Sequence, residues 1–420
     1  MSSFPLSRPS LTALAVACLM TLSSCGGGGG DGTDDGHAAV LTDATISGKL
    51  VAPNGETPLG NALVYVEGSA QSAAASGRVN ASAAAASGCG APPATGWAAT
   101  CTAADGSFTW KGKIPAGAKL VAVKGAFKAT ETVPAAGGDV ALGVLSIPVG
   151  VGTTRMAVVT GLFDSVEDVL AKLGFGEVES GRLKAGTEKF DLFDGMNSSI
   201  SASSERPPFT ALFTDADGNG KADIFNYAVV FLNCGLDVAQ ATNPAYAQVL
   251  RDYVAQGGRL YVSDQAYDYL EQAFPAYIDF HGSDVVPAAT PEIPGQAKVG
   301  NGGIAVESSL DPALRDWLGG IGCTGGSCLT GGQTAKIDGF LGEWVVMDGA
   351  HATAPSPVKV WVSGPVRYSA QDTTADKPLT VSFAAGKGRV TYTSYHNEPS
   401  YTGTGFLPVE RILQFLVFEL

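Results

Sequence analysis

The chain has 420 residues, of which 45% are hydrophobic and 55 are glycine, which is more chain than one core usually holds and rich in turns. Forty acidic residues against 26 basic ones give a formal charge of −14 and a pI near 4.7. That balance excludes the basic footprint nucleic acid requires, and it excludes attachment to anionic membranes by charge.

At the N-terminus Arg8 precedes an apolar run over residues 11–22, too short to span a bilayer and therefore read as a signal peptide. Leu22-Ser23-Ser24-Cys25 at its end resembles a bacterial lipobox, which implies cleavage after residue 24 and a lipid on the Cys25 thiol. The alternative is an ordinary signal peptide cut after a small residue. Residues 25–42, rich in Gly and Asp, then form a flexible tether. Gly26 supplies no inner-membrane retention aspartate, so the expected place is the outer membrane, with the bilayer as a partner through the lipid. Nucleic acid is not an expected partner; a ligand or envelope protein is.

Five cysteines remain beyond the anchor. Cys89 and Cys101 bracket a Gly/Pro/Ala loop, and Cys323 and Cys328 bracket a glycine-rich hairpin, so both pairs are expected to close local disulfides. Cys234 ends an apolar strand and has no evident mate. No CxxC pair or histidine cluster favours zinc among these cysteines.

Residues 43–148 carry strand patterns at 45–52, 62–67, 107–111, 119–124 and 140–147, separated by turns such as Pro53-Asn54-Gly55, with no helical period between them. They predict a small β-sandwich interrupted by a loose Ala/Ser insertion at 69–100. ISGKLVAPNGETPLGNALVYVEG with CTAADGSFTWKGKIPAG resembles the carboxypeptidase regulatory-like domain, a transthyretin-like sandwich. The resemblance implies a structural or spacer module. Trp97 or Trp110 on a carbohydrate-binding sandwich is the alternative.

From residue 153 the grammar becomes α/β. Continuous apolar strands at 155–160, 227–233, 259–263, 359–363, 379–383 and 389–394 alternate with amphipathic helices at 165–173, 244–255, 267–274 and 407–418. Runs apolar on both faces predict a mainly parallel, flavodoxin-like sheet covered by helices, over residues 153–420. Residues 196–208 and 282–303 read as insertion loops.

VVTG, YAVVFLNCG, LRDYVAQGGRLYVSD and GKGRVTYTSYHNE resemble the class I glutamine amidotransferase-like fold, in its trehalose-utilisation branch. That family activates an elbow cysteine through the histidine of a His-x-Glu pair, which matches His396 and Glu398 here. The elbow departs from it: after the strand at 259–262 stand Ser263 and Asp264, with neither cysteine nor flanking glycines. Ser263 could serve as nucleophile, and Asp264 as general base or metal ligand, while Cys234 reads as a small buried residue at the floor of the same cleft. Two functions follow. One is a non-catalytic envelope lipoprotein that binds a ligand or partner; the other is a hydrolase using Ser263 or Asp264 with His396 and Glu398 on a small or glycan-derived substrate. Glutamine hydrolysis itself is not expected.

TDADGNGKADIFN places Asp215, Asp217, Asn219 and Asp223 at offsets 1, 3, 5 and 9, with Gly220 at the sharp turn and Lys221 offering its carbonyl. That spacing wraps oxygens around a hard cation and predicts a structural calcium loop. Offset 12 is Asn226 rather than the bidentate Glu of a full EF-hand, and a cation-free Asx turn is the alternative.

Overall fold

The computed structural model describes residues 40–71, 88–195, 206–282, 290–323, 328–368, 373–397 and 405–420. The segment expected to be a signal peptide, Cys25, most of the expected tether and Glu398 lie outside the described residues.

Seven strands build the first part of the fold: β1 (Thr42–Val51), β2 (Leu63–Val66), β3 (Ala99–Cys101), β4 (Ser107–Ile114), β5 (Lys119–Lys124), β6 (Phe127–Thr132) and β7 (Gly138–Ser146). One sheet runs β4-β1-β7 and the other β3-β2-β5-β6. In β4 the side chains of Phe108, Trp110 and Ile114 turn inward while Thr109 and Lys111 stay exposed, the period of two a half-buried strand requires. Ile46, Leu50, Val64, Val66, Trp110 and Leu120 from both sheets join in one core. The loose insertion expected at 69–100 is structured at its end: β3 pairs with β2, Trp97 stacks on Tyr65 at 5.7 Å, and Cys89 is bonded to Cys101. Cys323 is likewise bonded to Cys328, and Cys234 is free and buried.

The second part contributes β8 (Met156–Val159), β9 (Asp191–Phe193), β10 (Val229–Leu232), β11 (Arg259–Ser263), β12 (Val306–Leu310), β13 (Lys359–Tyr368), β14 (Thr373–Ala385) and β15 (Gly388–Thr393). Its large sheet runs β9-β8-β10-β11-β15-β14-β13-β12, with short strands continuing past β12. The first five are parallel neighbours. From β15 onward every pairing is antiparallel. The mainly parallel sheet expected from the sequence is therefore corrected to a mixed one. Apolar runs report burial on both faces but not direction, and direction here is set by a tight turn. Gly386 sits in that turn at φ +63°, where a Cβ would come within 2.7 Å of the Ala255 backbone, so glycine is required on both counts.

Helix α1 (Val166–Leu170) continues as a wider turn to Phe175 and packs with α2 (Pro244–Gln256), α3 (Tyr267–Ala273), α4 (Pro312–Gly320) and α5 (Pro408–Glu419) around the sheet. The Asn243 side chain accepts from the Ala245 amide at the start of α2, and Gly257 ends it in the left-handed region.

The two parts meet in a continuous core. Phe127 of β6 lies 4.9 Å from Phe418 of α5 and 5.7 Å from Phe175. Around this contact the Trp317 indole donates to the Pro58 carbonyl at 2.9 Å, and Asn54 in the first turn of the sandwich donates to the Lys172 carbonyl at 3.1 Å. Lys172 and Glu410 form a buried ion pair at 2.6 Å beside it.

Candidate functional site

Strand β11 delivers Ser263 and Asp264 to the carboxyl edge of the sheet, and its parallel neighbour β15 delivers Ser394 to Asn397 to the same edge. Ligands of open α/β sheets are bound along that edge. Asp264 has φ +40°, in the left-handed region that non-glycine residues enter rarely, with Asp among the more tolerant. The strand-to-helix elbow is thus formed by the backbone without the glycines that sequence patterns use to recognise one.

Three contacts hold Asp264 in place. Its Oδ1 accepts from the Val345 amide at 2.6 Å, its carbonyl accepts from the Tyr392 hydroxyl at 3.2 Å, and its Oδ2 lies 2.9 Å from His396 Nε2. Cys234 Sγ approaches the same Oδ2 at 3.8 Å. On the other side of the imidazole, Nδ1 faces the Gly339 carbonyl at 3.1 Å. A carbonyl only accepts, so Nδ1 carries a hydrogen and Nε2 is the atom turned toward Asp264 and Cys234. Ser263 points elsewhere: its hydroxyl accepts from the Cys234 amide at 2.9 Å and faces the Asp164 carboxylate.

Of the groups expected at the strand ends, Asp264 and His396 are brought together with Cys234, Ser263 faces away and Glu398 lies outside the described residues, and the roles are not those of a relay. A nucleophile–base–orienter chain places the nucleophile on one ring nitrogen and the orienting acid on the other. Here acid and thiol both face Nε2, and Nδ1 is held by a backbone carbonyl. Asp264, His396, Ser263 and Cys234 are all at most 1% exposed. Burial pulls the His396 imidazole down, and the Asp264 carboxylate and Cys234 thiol outweigh it, so the histidine is held well above its ordinary range. Burial pushes the Cys234 thiol up, away from the thiolate a nucleophile needs.

Around this cluster lies a buried polar patch that the sequence did not single out. Asp164 Oδ1 accepts from the Ser165 and Asn397 amides, both at 2.9 Å, and Asn233 donates to Glu167 at 2.9 Å. Burial, then the neighbouring Asp168, raises Glu167 to about 8. The signal was present in FDSVED directly after the first α/β strand, where acids at a strand end read more readily as a solvated loop.

Two sets of side chains have the chemistry to hold a cation. Cys234, Asp264 and His396 each place one donor atom within 4.8 Å of the others, a thiol, carboxylate and imidazole set of the types zinc accepts. Asp215, Asp217 and Asp223 do the same with carboxylate oxygens on an exposed loop. There Asp215 accepts from the Gly220 amide at 2.9 Å, Asp217 from the Asn219 amide at 3.0 Å, and Asn219 from the Lys221 amide at 3.0 Å. Cavities of about 360, 530 and 560 Å³ open elsewhere, and neither Asp264 nor His396 lines them.

No family model matches the chain, and no curated protein matches it. Among solved structures, a cytoplasmic protein of Salmonella typhimurium is 10% identical over 63% of this chain and 98% of its own, with a TM-score of 0.33. A second, from Salmonella typhimurium LT2, is 11% identical with the same coverage and a TM-score of 0.35. A protein of Parabacteroides merdae described as thua-like is 12% identical over 59% of this chain and 79% of its own, with a TM-score of 0.29.

Proposed function

We propose that this chain is a lipid-anchored protein of the outer membrane whose α/β part is a degenerate amidotransferase-like module that binds a ligand or envelope partner without hydrolysing it. Several features support the reading. Taken in chain order, the parallel strands β8, β9, β10, β11 and β15 lie in the sequence 2-1-3-4-5, the flavodoxin-like order. The sheets of three and four strands suit a transthyretin-like sandwich. The observation that carries the non-hydrolytic part is the convergence of Asp264 and Cys234 on one nitrogen of a fully buried His396, which leaves no activated nucleophile. In this reading the elbow is locked by a buried ion pair.

A hydrolase using Asp264 or Ser263 with His396 and Glu398 is the second reading, and the 2.9 Å approach of His396 to Asp264 is what favours it. The two separate in a turnover screen over glutamine, ester and glycoside substrates. The binding reading expects the wild-type protein and His396→Ala to be equally inactive. Turnover by the wild type that His396→Ala removes would establish the hydrolase instead. The acidic loop at 215–226 belongs to the same proposal as a structural calcium site, since its carboxylates already lie in one cluster.

A further inference from the structure

Two strands of the large sheet open with the same pattern, a glycine followed by an arginine: Gly258-Arg259 before β11 runs on, and Gly388-Arg389 at the start of β15. The parallel register of these neighbours pairs Arg259 directly with Arg389, about 4.8 Å apart across the sheet. Both side chains are half-buried, and neither guanidinium meets a carboxylate or any other hydrogen-bond acceptor among the described residues. Like charges directly opposite are destabilising, and a half-buried arginine without a partner more so.

The pair lies at the base of the sheet, opposite the carboxyl edge, on a cleft of about 360 Å³ between the sandwich and the α/β part. Lys124 and Lys387 line it too, together with the backbone of Gly125, Gly386 and Gly388. Among the described residues lining it, Glu419 is the single acid, and it is engaged by Lys124. Beside it the Leu420 carbonyl oxygen accepts from the Ala126 amide at 2.9 Å. A chain with 40 acids and 26 bases has thus gathered four cations against one paired acid in a single concave place.

We infer that this cleft binds an oxyanion borne by a small soluble molecule, inorganic phosphate or a phosphate monoester, with Arg259 and Arg389 as its anchors and Lys387 at the rim. Two planar guanidinium forks side by side suit a doubly charged tetrahedral oxyanion better than a single carboxylate, because each fork takes two oxygens. The cleft falls at a boundary between structural parts and in the volume range where small ligands bind. This inference is independent of whether the opposite edge of the sheet is catalytic.

Calorimetric titration of the full chain with sodium phosphate, against sodium chloride at matched ionic strength, tests it. Saturable binding of one phosphate is expected, absent with chloride, and weakened at least tenfold by Arg259→Gln and by Arg389→Gln. Equal heats and equal melting temperatures in phosphate and chloride would overturn it, as would undiminished binding in both variants. Should those variants fail to fold, Lys387→Gln, at an exposed position, should weaken phosphate binding several-fold; no change there overturns the assignment of the cleft. Arginine-dependent binding to vesicles containing phosphatidic acid, without binding of inorganic phosphate, would reject a small-molecule ligand in favour of a membrane surface.

Discussion

Asp264 keeps a backbone conformation that most residues avoid, and its contacts to Val345, Tyr392 and His396 are what make that conformation tolerable. Removing one partner of a buried ion pair strands the other charge, so His396→Ala should destabilise the fold by about 3–5 kcal/mol, read by denaturant unfolding. A loss below about 1 kcal/mol would mean that the pair does not lock the elbow. The pH dependence follows from the same patch. Glu167 is raised from its ordinary 4.5 to about 8, so between those values the folded state holds a proton that the unfolded state has lost. Stability should therefore fall as pH rises through that window, by at most ~1.4 kcal/mol per pH unit. His396 acts in the same direction: its contribution is complete below its ordinary value near 6.5 and is lost as pH rises through its higher folded value. Glu167→Gln should flatten the slope between pH 5 and 8, and a slope unchanged by the substitution would remove Glu167 as its source. Sequence alone brought Ser263, Asp264 and His396 to one edge, because strand-end position is legible in apolar runs. The nitrogen to which each group points is not, since it depends on Gly339, more than fifty residues upstream of the histidine.

At the scale of elements, the loop that holds Asp215, Asp217 and Asp223 precedes β10, and ordering it fixes the entry to a central strand. Calcium binding to the folded state alone raises stability by mass action, so millimolar calcium should raise the melting temperature and Asp217→Ala should abolish the rise. Identical melting curves with calcium and with chelator would withdraw the metal. The element pattern shows how far periodicity carries. Helix α2 runs within a residue of the apolar period at 244–255 and stops at Gly257-Gly258, whereas β13 and β14 extend well past their apolar segments. Their outer halves, VRY against TTADK, pair across a long antiparallel ribbon in which Val366 and Tyr368 are buried and Pro365 and Arg367 exposed, so they lack the continuous apolar run by which the inner halves are recognised.

In the whole molecule the sandwich and the α/β part share the core around Phe127, Phe175 and Phe418. A protein limited to residues 153–420 would lose Phe127 and present Phe175 and Phe418 to water, and should aggregate or unfold at lower temperature than the full chain. Equal melting of the two would show that the shared core contributes nothing. Anchoring is tested separately: Cys25→Ser should move the protein from the membrane fraction to the soluble one, and continued sedimentation with membranes would end the lipoprotein proposal. What is legible near residue 148 is a change from alternating to continuous apolar patterns. The union of the two parts is not, because the periodicity of a strand reveals that a face is buried without naming what covers it.

The ring of Phe418 belongs to the last helix described and the ring of Phe127 to an early strand, so the contact between them joins segments synthesised far apart in time. A nascent chain would have completed both sheets of the sandwich while the helix that seals them was still unmade. For that interval the Phe127 ring of β6 and the turn at Asn54 have nothing to rest on, and long-range closures of this kind are slow. During synthesis this protein would therefore depend on holding factors until its C-terminal segment arrives.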